Sequence, residues 1–257
     1  VTASLWRALL DLVFPPRCEV CGSLGSETFC ASCREEVLWL EPPYCSLCGL
    51  LLPPSAPPGE RCGICRQTRR YFDGARCLGL HTGALRQAIL AYKFENRRPL
   101  AEPLGALLAE RFHREAQWPA ALPFSGIEGL VPVPLHLSRR RWRGFDQALH
   151  LTRELGARAG LPVWESALQR TRATVPQVQL TPSQRQSNVR GAFAGEREIL
   201  AGRRVLLVDD VFTTGATCDQ AARAAKTAGA AAVYVLVLSR PAPDWHPAAL
   251  TFEPGEV

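Results

Sequence analysis

Methionine is missing from all 257 residues, and so is any apolar run near the roughly 18 residues that a membrane-crossing helix needs. The second absence excludes a transmembrane helix. The first residue is Val1, which fits a non-standard start codon or a trimmed terminus. The opening residues lack the charged-then-apolar pattern of a secretory signal, so a cytoplasmic location is expected. Lysine is absent from His136 to Arg190. What the chain does have is a 47% hydrophobic composition, enough for one sizeable core and a small appendage, and 21 prolines, many of them in the first 60 residues.

Eight of the ten cysteines form four C-x-x-C pairs: Cys18/Cys21, Cys30/Cys33, Cys45/Cys48 and Cys62/Cys65. Each pair presents two thiolates on a tight knuckle, and two pairs complete a tetrahedral site, so eight ligands predict two structural Zn²⁺ ions. Disulfides would need an exported chain, and one redox pair would not explain four repeats. Pairing stays open. Sequential ribbons would join the first pair with the second and the third with the fourth, whereas a cross-braced arrangement would join first with third and second with fourth. Cys77 and Cys218 stand outside the pattern and read as small buried residues.

This segment is too short and polar to build a core, so metal must supply its folding free energy, on the order of 10 kcal/mol per site. Pro53 to Gly59 reads as a loop between knuckles. Closed Cys₄ sites leave no open coordination position, which points to a structural or docking role. Ahead of the first pair, Leu5, Trp6, Leu9, Leu10 and Val13 share one helical face that stops before Pro15-Pro16. Packing on the body of the protein is the expected use of that face. Peripheral contact at the inner face of the membrane is the alternative.

The most informative run is Val205-Leu206-Leu207-Val208-Asp209-Asp210-Val211-Phe212-Thr213-Thr214-Gly215-Ala216-Thr217. Four apolar residues suit a strand covered on both faces, and the Ala-rich stretch closed by Gly229 suits a helix packed on it. The polar turn between them falls at the carboxyl end of a parallel strand, where open α/β sheets bind ligands. Hydroxyls and amides at a helix N-terminus favour phosphate. Two carboxylates would repel a bare phosphate, so the ligand must also bring sugar hydroxyls or a bound Mg²⁺. A sugar phosphate meets both conditions.

These thirteen residues resemble the phosphoribosyl diphosphate (PRPP) signature of type I phosphoribosyltransferases. That resemblance implies Asp209 and Asp210 on the ribose hydroxyls, Thr213, Thr214, Gly215, Ala216 and Thr217 around the 5-phosphate, and Mg²⁺ accompanying PRPP. Phe212, where many members carry an aliphatic residue, should alter packing more than chemistry.

From Arg76 onward the pattern alternates in the α/β manner. Strands are predicted near Cys77 to Leu80, Ile127 to Val133, Val163 to Leu168, Arg204 to Val208 and Ala231 to Leu238. Helices are predicted near Ala84 to Glu95, Leu100 to Gln117, Phe145 to Ala159 and Ala216 to Ala228. The expected fold is a phosphoribosyltransferase-like, doubly wound parallel sheet at 71–245, behind an N-terminal helix and double zinc ribbon at 1–70 and ahead of a tail at 246–257.

Three more segments narrow the resemblance. They are Leu90 to Phe94 with Arg97, Pro99 and Leu100; Val131 to His136 leading through Arg139, Arg140, Arg141 and Arg143 to Gly144-Phe145-Asp146-Gln147; and Arg170-Thr171-Arg172 with Gln179, Leu180, Arg185, Asn188, Val189 and Gly191-Ala192-Phe193. With the cysteine pairs, this order resembles the ComF family of competence-associated proteins over nearly the whole chain. Asp146 departs from that pattern, where Asn is usual.

The resemblance implies a role in natural transformation, in the handling of incoming single-stranded DNA together with competence-machinery proteins. It also implies a diphosphate loop after Val133 and a hood from Arg170 to Phe193. Departing diphosphate builds negative charge that cations stabilise, so Arg143, Lys93, Arg172 and Arg185 are candidates. From His136 to Arg190 the chain carries ten Arg and three acids, +7 against +6 overall. Such a segment attracts PRPP, nucleic acid or both. Arg139, Arg140, Arg141 and Trp142 are the nucleic-acid candidates, although Trp142 also suits a packing anchor. No glutaminase nucleophile and no base-recognition motif is evident. A PRPP-binding accessory protein is therefore favoured over an active phosphoribosyltransferase with an unknown acceptor.

Overall fold

The structure, a computed structural model, describes residues 15–115, 117, 122, 124–136, 141, 144–172 and 189–247. The N-terminal helix expected before Pro15 lies outside them, as does the tail from 248 on. Two short helices, α1 (Ala31–Glu35) and α2 (Gly63–Gln67), begin directly after Cys30 and Cys62. Each carries the second cysteine of its pair, Cys33 or Cys65, into a buried position.

Four strands form a parallel sheet in the order β1 (Gly74–Leu80), β6 (Ala232–Arg240), β5 (Arg204–Val211), β2 (Gly129–Pro132). Side chains alternate across it with the two-residue period of a strand. Leu206, Val208, Tyr234, Leu236 and Leu238 join one core layer with α3 (Gly83–Phe94), α4 (Ala101–Glu115) and α5 (Gln147–Ala159). Val205, Leu207, Val233, Val235 and Val237 join the other, with α7 (Ala216–Thr227) and the second cysteine group. Helices thus cover both faces, which is why the strands read as near-continuous apolar runs. Asp146 caps α5, accepting from Leu149 N at 3.2 Å, and Gly160 closes that helix with φ +67°.

The stretch Val163 to Leu168 is not the continuous strand that its pattern predicts. Val163 makes a single parallel bridge to Leu130, the chain turns at Ala167, and pairing resumes in an antiparallel ribbon of β3 (Leu168–Arg170) and β4 (Phe193–Gly195). The helix α6 (Arg197–Leu200) leads from that ribbon to β5. β1 begins earlier than expected because Gly74, Ala75 and Arg76 give little apolar signal, yet all seven of its residues are buried.

The cysteine-bearing segment is built onto the sheet. Residues 38–40 lie antiparallel beside β1: Leu40 N donates to Leu78 O at 2.9 Å and Leu80 N to Leu38 O at 2.8 Å. A Cβ on Gly79 would stand 2.8 Å from the Leu38 carbonyl, so this approach requires glycine. The added segment covers the edge of β1.

Beneath it, Glu115 on α4 is fully buried between two arginines. Arg76 Nε lies 2.7 Å from Oε1 and Arg111 Nη2 lies 2.9 Å from Oε2. Tyr44 donates its hydroxyl to the same carboxylate at 3.2 Å, and its ring lies 4.4 Å from the Arg76 guanidinium. Arg76 also donates to the Ser46 carbonyl at 3.2 Å. This network ties the third knuckle, Cys45/Cys48, to β1 and α4.

Candidate phosphosugar site and its metal-binding support

All four strands of the main sheet are parallel, so their carboxyl ends share one rim. Asp209 and Asp210 stand there at the end of β5, both half-buried and open to the rim. Strand alternation sends them to opposite faces. Asp210 meets α3, where Lys93 Nζ lies 3.0 Å from its Oδ1 and both side chains are largely buried. Asp209 meets α7: Cys218 Sγ is 3.9 Å from Oδ2, and Oδ1 accepts the Asp210 amide at 2.9 Å. Burial, and then the neighbouring Asp210 charge, raise the Asp209 carboxyl from its ordinary value to about 7. The two acids are therefore unequal, one charge-paired and one easily protonated.

After Val211 the chain turns into α7 through Phe212 to Gly215. Gly215 has φ +74°, and a Cβ there would lie 2.2 Å from Phe212 Cζ, so glycine is needed for both conformation and space. Phe212 is buried under the turn and fixed by the hydrogen bond that its backbone N–H donates to Ser239 O at 2.8 Å. Thr213, Thr214 and Thr217 are half-buried, and Thr214 Oγ1 accepts the Ala216 amide at 3.3 Å. The result is a hydroxyl-lined turn at the N-terminus of a twelve-residue helix, beside two carboxylates. It combines an anion-favouring end with acceptors for sugar hydroxyls or a cation.

His81 follows β1 on the same rim. Its Nδ1 lies 2.8 Å from Ser239 Oγ, and burial together with the Lys93 and Arg86 cations lowers it to about 3, so it is neutral near pH 7. Among the other predicted residues, Arg172 is exposed beyond β3 and donates to the Arg190 carbonyl at 3.0 Å, and Arg141 is exposed between β2 and α5. Arg139, Arg140, Trp142, Arg143 and Arg185 lie outside the described residues.

The eight paired cysteines gather as two tetrads, Cys18/Cys21/Cys30/Cys33 and Cys45/Cys48/Cys62/Cys65, with the sulfurs of each within 4.8 Å of one another. Pairing is sequential. Sulfur separations of 3.8 Å for Cys18 and Cys33, 3.6 Å for Cys21 and Cys30, and 3.7 Å for Cys48 and Cys62 suit a tetrahedral ion at about 2.3 Å from each. The residues fit structural zinc, which would hold each knuckle closed. Without an ion the thiols of each cage split: hydrogen bonds from Ser23 draw Cys21 down to about 6 and hydrogen bonds within the second cage draw Cys48 and Cys62 down to about 6, while burial pushes Cys33 up and hydrogen bonds with Cys45 and Cys48 push Cys65 up. Deprotonated thiols are what a dication requires.

Sequence reasoning missed how the second tetrad reaches the rim. Arg240, buried at the end of β6, donates to Cys48 O at 2.7 Å and lies 5.3 Å from the Phe212 ring centroid. Phe72 packs edge-on to Phe212 at 6.0 Å, Arg70 donates to Thr214 O at 3.3 Å, and Tyr71 N donates to Asp219 on α7 at 2.8 Å. The one signal available was a polar pair, Ser239-Arg240, closing an otherwise apolar run.

Comparison with known proteins agrees with this architecture. A double zinc ribbon domain model matches residues 9–66, and a phosphoribosyl transferase domain model matches residues 144–248. Competence protein F of Haemophilus influenzae is 30% identical over 225 residues, 84% of this chain and 92% of that protein. The chain belongs to the competence protein F family. The same family takes in the DNA utilization protein YhgH of Escherichia coli K12, 33% identical over 235 residues, 89% of this chain and 99% of that protein. A solved glutamine PRPP amidotransferase from B. subtilis aligns with 54% of this chain and 26% of its own, at 21% identity and a TM-score of 0.35. No helix among the described residues is long and apolar enough to cross a membrane.

Proposed function

We propose that this family member binds PRPP, or a related phosphosugar, with Mg²⁺ at the rim of its sheet and acts as an accessory protein in the handling of single-stranded DNA during transformation. The observation that carries the ligand half is the juxtaposition at the end of β5, with Asp209 and Asp210 directly ahead of the turn from Thr213 to Thr217. In this reading the acids take the ribose hydroxyls, the turn takes the 5-phosphate, and Mg²⁺ neutralises the diphosphate. Lys93 holds Asp210 in place, and Arg143, Arg172 and Arg185 serve the diphosphate side. The names of the relatives, competence protein F and DNA utilization protein YhgH, support the DNA half. Competence-machinery proteins are the partners in this reading, on the cytoplasmic side.

Titration calorimetry with PRPP and Mg²⁺ tests the ligand half. Asp209→Asn with Asp210→Asn is expected to weaken binding by more than tenfold, and equal affinity in both proteins would reject the site. Diphosphate release distinguishes accessory protein from enzyme, because acceptor-dependent turnover would make the protein a phosphoribosyltransferase.

A further inference from the structure

Away from the rim, cationic charge is concentrated where the phosphosugar site has no use for most of it. Residues 61–72 hold four arginines and no acid. Arg61, Arg66, Arg69 and Arg70 line one cleft of about 420 Å³, with Gln67 on its side and buried Phe72 in its wall; Asp73, the one acid lining it, is paired with Lys226 at 2.7 Å. The first three are exposed and Arg70 is half-buried.

Two ordinary uses would account for such arginines. A Cys₄ zinc centre carries a formal charge of −2, and neighbouring guanidiniums could simply balance it. Arg240 already does so from inside, with Nη1 4.0 Å from Cys48 Sγ and 2.7 Å from its carbonyl. The arginines could instead be spent in surface ion pairs. Arg66 has such a pair, 3.1 Å from Glu60, but its exposure limits the pair to under about 1 kcal/mol. Arg61 and Arg69 make no ion pair among the described residues. Arg70 spends one nitrogen on Thr214 O while its Nε is buried without an acceptor. That leaves several guanidinium donors unused around a single concavity.

We infer that this cleft is a phosphodiester site and that its occupant is the backbone of single-stranded nucleic acid. The guanidinium is a planar donor fork matched to phosphate oxygens. Four of them along twelve residues, mostly exposed, cover more length than one phosphate needs, as a groove that tracks a strand does. Tyr71, next in the chain after Arg70, is exposed, and its ring with the Arg223 guanidinium 5.4 Å from its centroid is an aromatic neighbour of the kind that single-strand grooves use. The inference rests on the DNA half of the proposed function and is independent of its phosphosugar half.

The test is fluorescence anisotropy with a labelled oligothymidylate across a salt series, using the full-length zinc-loaded protein. Arg61→Ala with Arg66→Ala and Arg69→Ala leaves Arg70 and the hydroxyl turn intact. Affinity is expected to fall at least tenfold, and the slope of log K against log salt to shrink by about 0.7 for each arginine removed. The matching lysine triple variant is expected to recover most of the slope. PRPP calorimetry and zinc content are expected to stay at wild-type values, which separates failure of this cleft from failure of the phosphosugar site. If the alanine triple variant does not fold, Arg69→Gln alone carries the test, with a slope change of about 0.7. Unchanged affinity and slope would overturn the inference. So would tripolyphosphate or an acidic peptide displacing the strand at equal charge concentration, or duplex binding as tight as single strand.

Discussion

Arg240 joins two sites that lie far apart in the sequence. Its Nη1 holds the Cys48 carbonyl at 2.7 Å, and its guanidinium lies 5.3 Å from the Phe212 ring beneath the hydroxyl turn. One buried cation thus supports both a metal knuckle and the floor of the proposed phosphosugar site. Arg240→Met keeps the volume but loses the charge-assisted bond, at a cost of about 2 kcal/mol. Chemical denaturation should show that loss, and calorimetry should show weaker PRPP binding although no rim residue has changed. Wild-type affinity in a destabilised variant would mean that the turn does not depend on the metal knuckle.

The Asp209 carboxyl gives a pH dependence with a definite sign. Its folded value of about 7 lies above the ordinary value of 3.8, so the folded state holds this proton more tightly than the unfolded chain does. The stability it contributes is complete below the unfolded value and is lost as pH rises through about 7. Asp209→Asn should therefore stabilise the ligand-free protein relative to wild type, increasingly so between about pH 4 and 7 and levelling off above that, by about 2–4 °C in Tm for each kcal/mol recovered. The proposed role of Asp209 on the ribose hydroxyls uses the ionised acid, so wild-type affinity for PRPP is expected to rise as pH approaches 7. A pH-independent difference between the two proteins would reject this assignment.

Glu115 is the shared anion of two buried arginines, and removing its charge leaves both uncompensated. Glu115→Gln is expected to cost about 3–5 kcal/mol and to lower Tm by roughly 10 °C. Glu110→Gln, which breaks exposed pairs with Arg34 and Arg114 on the same helix, is the control and should cost under about 1 kcal/mol.

The two tetrads differ in access. Cys21 is exposed and Cys30 half-buried in the first, while all four cysteines of the second are buried. A chelator should release zinc in two phases of one ion each, with the fast phase absent from Cys21→Ser. Phosphosugar binding should survive the fast phase and disappear with the slow one. Release in a single phase would contradict this order.

Much of the rim was legible because its signal is local. Asp209 and Asp210 follow four apolar residues, and the turn and helix come directly after, so one contiguous run encodes strand, ligand groups and cap. The cysteine repeats were legible as metal ligands for the same reason, although their pairing was not, since both arrangements satisfy the spacing. Val163 to Leu168 misled because Trp164 and Leu168 have strand-like spacing, whereas the chain pairs with Leu130 only around Val163 and then turns. Arg240 and Arg70 were invisible because their partners, Cys48 and Thr214, lie 192 and 144 positions away. Arg76 reads as a misfit in a buried strand until Glu115 is placed beside it.

The antiparallel seam between Leu38 to Leu40 and β1 also constrains how the protein can be dissected. Cutting the chain ahead of Gly74 would bare an unpaired backbone to self-association and strip Arg76 and Arg240 of carbonyl acceptors. The cysteine-rich front is a wall of the enzyme-like fold behind it, and neither half can be transplanted as a cassette without the other.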